Sequence, residues 1–129
     1  QGLVEKAYQK QADAAAYKFF PGMWSAHSHD FVGYGPHDKP LNLARQQAET
    51  EQMLSKSLHV TERFKVLSFR AANPSHARCR VHDTMVFEQS AGTLTVDSVS
   101  TDDWVLTRHG WRMTASRLDQ QKPSWSKRS

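Results

Sequence analysis

Residues 101–116, Thr101-Asp102-Asp103-Trp104-Val105-Leu106-Thr107-Arg108-His109-Gly110-Trp111-Arg112-Met113-Thr114-Ala115-Ser116, read as two long strands joined by a tight turn at His109-Gly110. Side chains alternate faces along a strand. A two-residue loop at His109-Gly110 therefore sets Arg108 opposite Trp111, Leu106 opposite Met113, Trp104 opposite Ala115 and Asp102 opposite Arg117. On that alternation the tryptophans and Met113 share a face with one acid and one guanidinium.

Working back along the chain, the pattern stays β. Strands are expected over 60–72, 76–88, 93–108 and 111–118, with turns at Asn73-Pro74-Ser75 and Ser90-Ala91-Gly92. Taking Ser90-Ala91 as the loop puts Phe87 opposite Leu94, Met85 opposite Val96 and Asp83 opposite Ser98. One face then carries Cys79, Val81, Met85, Phe87, Leu94, Val96, Trp104 and Met113; the other carries Arg78, Arg80, His82, Thr84, Asp97, Thr101 and Asp103. The first must meet a second layer, and the second suits solvent or a subunit contact. On the polar face Asp103 falls opposite Arg78, which marks a partly paired surface rather than a phosphate track.

The second layer comes from the first half of the chain. Val4, Tyr8, Ala12, Ala15 and Phe19 have helical spacing over 3–19, and Pro21-Gly22 stops that helix. A short helical piece from Met23 to about Ser28 leads to a strand over 30–34 and a turn at Gly35-Pro36-His37-Asp38. Asp38 caps a further helix, with Pro40 in its first turn, running to about Ser55. Helices first and a meander afterwards give α+β, with N-terminal helices packed on a curved antiparallel sheet as one domain over 1–119.

Asp83, Ser98, Ser100, Asp102 and Arg117 are polar on an apolar face, so they pair or line a wet cavity. An apolar wall with a few convergent polar groups is what a ligand pocket requires. Asp102, Arg117 and Asp83 are the candidate catalytic residues; an Asp102–Arg117 ion pair with a structural role is the competing account. Tyr17, Trp24, Phe31, Tyr34, Met85, Phe87, Val96, Ser98, Trp104 and Met113 make the expected lining, with Tyr8 a further donor from the helical side.

Charge and composition narrow the classes. At 129 residues with 38% hydrophobic content the chain fits one domain, and no apolar run reaches the length of a membrane-spanning helix. Lys122, Lys127 and Arg128 carry most of the +4 net charge in a stretch, 120–129, that holds no acid and reads as a flexible tail rather than a nucleic-acid contact. The single cysteine, Cys79, forms no internal disulfide and reads as a buried structural thiol. The start at Gln1 fits a removed export signal, so the bacterial periplasm or secretion is the first expectation, with a trimmed chain from the cytoplasm the alternative. His27-Ser28-His29-Asp30 with His37-Asp38 has metal-ligand residue types but matches no closed zinc motif, so no metal or other cofactor is expected.

The 101–116 hairpin resembles the last hairpin of the nuclear transport factor 2-like superfamily, in its polyketide cyclase-like and ketosteroid isomerase-like branches. His29-Asp30-Phe31-Val32 resembles the acidic-aromatic step after the second helix there, and the likeness spans about residues 3–119. The resemblance implies a cone of helices and curved sheet around a deep pocket, commonly as a homodimer. Members include isomerases, dehydratases, cyclases and epoxide hydrolases, and also domains with no known activity. A glutamine is common there where this chain has Arg117, and the Asp–Arg–Asp set of the epoxide hydrolases is similar in residue type to Asp102, Arg117 and Asp83.

Three functions follow as expectations. The first is binding of a small, largely apolar molecule, with Arg117 meeting an anionic head if there is one. The second is acid–base catalysis of isomerase, dehydratase, cyclase or epoxide-hydrolase type, with Asp102 or Asp83 as base. The third is a homodimeric interaction module built on the polar sheet face.

Overall fold

The computed structural model describes residues 2–35 and 40–127, without the side chains of His29 and Leu43. Helix α1 (Gly2–Ala16) buries Val4, Tyr8, Ala12 and Ala15, the face that helical spacing assigned to the core. Pro21 does not stop a helix. It sits in the first turn of α2 (Phe20–Trp24), where its missing N–H has no intrahelical partner to lose. The expected helical piece from Met23 to Ser28 is also corrected, because strand β1 already begins at His27 (His27–Tyr34).

Helix α3 (Leu43–Lys56) starts later than expected. Its cap is Asn42, whose side-chain oxygen accepts from the Arg45 amide at 3.1 Å. The proposed cap Asp38, with His37, lies outside the described residues, and Pro40 precedes the helix in a bridge to Tyr34.

Strands β2 (His59–Asn73), β3 (His76–Gln89), β4 (Gly92–Thr107) and β5 (Gly110–Lys127) form the expected antiparallel meander. The sheet order is β1-β5-β4-β3-β2, and β1 joins β5 in parallel, so the sheet is mixed rather than purely antiparallel. Between β3 and β4 the register is as alternation predicts: Phe87 with Leu94, Met85 with Val96, Asp83 with Ser98, Arg78 with Asp103. Arg78 Nε donates to Asp103 at 2.8 Å on the outer face.

The β4–β5 register is not as predicted. Thr107 pairs with Gly110, so the loop is Arg108-His109, and Gly110 takes the left-handed backbone (φ 99°) that starts the return strand. A turn followed by a left-handed glycine is a common hairpin closure and moves every later pair. Trp104 now faces Met113. An irregularity between Asp103 and Trp104 then leaves an extra residue on β5, and Asp102 meets Ser116 while Arg117 meets Thr101.

Strand β5 also corrects the flexible tail. Leu94 pairs with Trp125, Thr93 with Ser126 and Gly92 with Lys127, because the first half of β4 needs ladder partners for its backbone groups. Pro123 is tolerated since β1 pairs with β5 only as far as Arg117, leaving the outer edge beyond it without a strand among the described residues.

Two clusters fill the space between helices and sheet. Val4, Tyr8, Cys79, Val81, Trp104 and Met113 form one; Ala14, Ala15, Met23, Leu54, Val60 and Phe87 form the other. Cys79 is fully buried, and burial pushes its thiol up to about 11, as a structural thiol requires.

At Gly92 a β-carbon would run into the carbonyl oxygen of Ser126 and lie 2.9 Å from the Trp125 ring. Gly92→Ala should therefore lower stability by ~1–3 kcal/mol, the usual range for overpacking. An unchanged urea midpoint would falsify the pairing of β5 residues 125–127 with the start of β4.

Candidate functional site

A cavity of about 250 Å³ opens between α1, α3, β1 and the inner sheet face. An engineered cavity of ~150 Å³ holds a benzene, so this one has room for a ring with a short substituent. Tyr8, Trp24, Phe31, Tyr34 and Phe64 supply aromatic walls. Gln46, Gln47 and Thr50 face it from α3, and Asp83, Ser98, Ser100, Asp102 and Ser116 make a polar floor on β3, β4 and β5.

Asp102 is 2% exposed and heavily hydrogen-bonded. Its Oδ2 accepts from the Tyr8 hydroxyl at 2.5 Å, and its Oδ1 accepts from Ser116 at 2.6 Å and Ser100 at 3.0 Å. Trp104 Nε1 donates to the Tyr8 oxygen at 3.0 Å, closing a chain from β4 through α1 and back. Burial raises the Asp102 carboxyl, and the donors Ser116, Tyr8 and Ser100 pull against that rise. Burial, with the Asp102 charge next, pushes the Tyr8 phenol far above its ordinary value, so it stays a donor.

Asp83 is the opposite case. Its Oδ1 is buried and finds no hydrogen-bond partner. The carboxyl adjoins that of Glu62, 8% exposed on β2, whose Oε1 is likewise buried and unmet. Two carboxyls side by side favour holding one proton between them. Burial, with the Asp83 charge next, drives Glu62 well upward, and burial first of all pushes Asp83 up to about 6.

His27 completes the wall. Its ring meets Phe31 edge-on at 4.5 Å and Trp24 at 5.8 Å. Burial lowers its pKa, so the imidazole is neutral at physiological pH.

Asp83 and Asp102 thus come together at the cavity, and Arg117 does not. The extra residue on β5 turns it to the other face, where it is exposed beside Thr101. Trp24, Phe31, Tyr34, Ser98 and Met113 line the cavity. Met85, Phe87 and Val96 belong to the second core cluster instead, Trp104 is buried behind Tyr8, and Tyr17 is 85% exposed. Tyr17 falls after the last turn of α1, so helical spacing no longer aims it inward. Sequence reasoning missed Glu62, although alternation along β2 puts it on the face of Val60 and Phe64. It also put His27 in a short helical piece, whereas it opens β1. Among the described residues no group of three metal-ligating side chains converges.

The Asp83 shift has a sign that stability measurements can read. The unfolded chain releases this proton near 3.8 and the folded chain near 6, so stability falls as pH rises between those values. Asp83→Asn removes the penalty. It should raise the thermal midpoint at pH 7.5 clearly more than at pH 4, and equal gains at both would show that Asp83 is not a raised acid.

No family model matches the sequence, and no curated protein matches it. Solved structures do match in shape. One is a domain of unknown function with a cystatin-like fold from Nostoc punctiforme, 15% identical, TM-score 0.68, covering 90% of this chain and 74% of that one. Another, from Novosphingobium aromaticivorans and provisionally described as a scytalone dehydratase, is 7% identical with TM-score 0.78, covering 94% and 83%. A third, the hexachlorocyclohexane dehydrochlorinase LinA-type3 of Novosphingobium barchaimii, is 7% identical with TM-score 0.69, covering 95% and 88%. Helices laid on a curled sheet with a cavity between them, matched over nine-tenths of the chain, identify the nuclear transport factor 2-like, cystatin-like fold.

Proposed function

We propose that this chain binds one small organic molecule, a ring with a short polar substituent, in the cavity between the helices and the sheet. The observation that carries the proposal is the cavity's combination of aromatic walls with a polar floor that holds the Asp83 and Asp102 carboxyls. An anionic head is disfavoured. Among the described residues no Lys or Arg lines the cavity, and two acids do.

Phenethyl alcohol is a suitable probe, followed by calorimetry and by the shift of the Trp24 indole resonance. Ser98→Phe fills the floor and should weaken binding about tenfold or more, that is by at least ~1.4 kcal/mol. Its thermal midpoint, measured alongside, separates filling from unfolding. Undiminished affinity in a folded Ser98→Phe protein would place the ligand elsewhere.

A second reading is supported by one further observation: an acid near neutrality and a neutral imidazole both face this space. Asp83 would take or give the proton and His27 would assist, while Asp102, already engaged by three donors, holds the floor in shape. Fold neighbours named as a dehydratase and a dehydrochlorinase fit chemistry of this kind, though fold by itself gives no reaction. Once a substrate is found, Asp83→Asn should abolish turnover while leaving binding measurable; retained turnover would leave only the binding role.

A further inference from the structure

The cavity is electrostatically one-sided. Asp83 from β3 and Asp102 from β4 present two carboxyls to a space that no described Lys or Arg lines, and Glu62 from β2 stands behind them, its carboxyl against that of Asp83. Asp102 has its donors, supplied by Tyr8, Ser100 and Ser116. Glu62 and Asp83 have only each other: one oxygen of each is buried with no donor from any described residue, and Glu62 is more than nine-tenths buried. A proton shared between the two is all the protein itself can supply. Such a pair is costly to keep unless something brings donors and positive charge to it.

We infer that the ligand of this cavity carries a protonated amine that seats at Asp83, whose carboxyl Glu62 adjoins from behind, with a flat apolar body against Trp24, Phe31 and Phe64. The inference rests on the cavity being the binding site proposed above, and it names the ligand's class. A hydroxyl offers one donor and no charge, whereas an ammonium offers three donors and a full charge to two carboxyls. Trp24 and Phe31 add π-faces to the site, which attract a cation. A metal ion is a poorer occupant, because no described set of three ligating side chains converges there.

Entry of the cation should expel the shared proton to solvent. The ammonium brings its own charge, one carboxyl proton leaves, and no bond to carbon changes. The groups facing the pair are Asp102 from β4, Tyr8 from α1 and His27 from β1, and through the sheet Asp83 also feels His82 and Asp97. Of these, Tyr8 stays protonated, and His27 stays neutral over the upper part of the range. An alkylammonium stays charged throughout, as lysine does. Affinity for an amine should therefore rise between pH 5 and pH 7.5 as the carboxyl pair ionises.

The test compares phenethylamine, phenethyl alcohol and hydrocinnamate on the whole chain by calorimetry, in buffers of different ionisation heat. Phenethylamine should bind about tenfold tighter than the alcohol at pH 7.5, a difference of ~1.4 kcal/mol. It should release protons, lose its advantage at pH 5, and lose it in Asp83→Asn while that variant still binds the alcohol. Glu62→Gln should reduce the preference in the same direction. If the alcohol binds as well as the amine, or the amine's advantage survives Asp83→Asn, the ammonium site is wrong and the cavity remains a neutral-ligand pocket. If none of the three probes binds, or all bind equally to a folded Ser98→Phe protein, the cavity reading falls and the ammonium site with it.

Discussion

A carboxylate withdrawn from water must be met by donors, and in this fold the group so placed is Asp102. Its three donors come from α1, from its own strand and from β5, so one carboxyl fastens the first helix and two strands at a common point. Removing water strengthens each of these bonds and makes each harder to lose. The Trp104 indole holds the far side of Tyr8, so the phenol is fixed from both ends. The cavity keeps its shape because the helix that roofs part of it is tied to the floor.

The same burial that makes Asp102 a fastener makes Asp83 and Glu62 a strain. They sit on neighbouring strands of one inner face, where one oxygen of each finds no donor among the described residues. Stability is given up at this point of the inner face, a common arrangement at binding and catalytic sites. The outer face shows the contrast: Arg78 with Asp103, and His82 and Thr84 with Asp97, are pairs that water also serves, and each contributes little.

Much of the fold was legible. The alternation of Met85, Phe87, Leu94 and Val96 suffices for β3 and β4, because that ladder has no register shift and its loop is the Ser90-Ala91 step. Asp83, Ser98 and Asp102 follow from it as inward polar groups. Alternation fails along β5 for a physical reason. Glycine at 110 lets the turn close one residue early, and an unpaired residue beyond Met113 then re-phases the strand. Those two local events send Arg117 outward and bring Ser116 to Asp102, and neither leaves a mark in polarity, since Thr114, Ala115 and Ser116 suit either face. The 120–127 segment was misjudged likewise: its composition is that of a tail, yet a long β4 leaves backbone groups that only this segment can reach.

Past Arg117, β5 has a neighbour on one side only among the described residues. A bare strand edge is a template on which another chain can extend the sheet. Here Pro123 interrupts the row of amide hydrogens, and Lys122 and Lys127 add repelling charge to the same run. The residues that looked like a solvated terminus thus make this stretch of edge a poor template for strand addition.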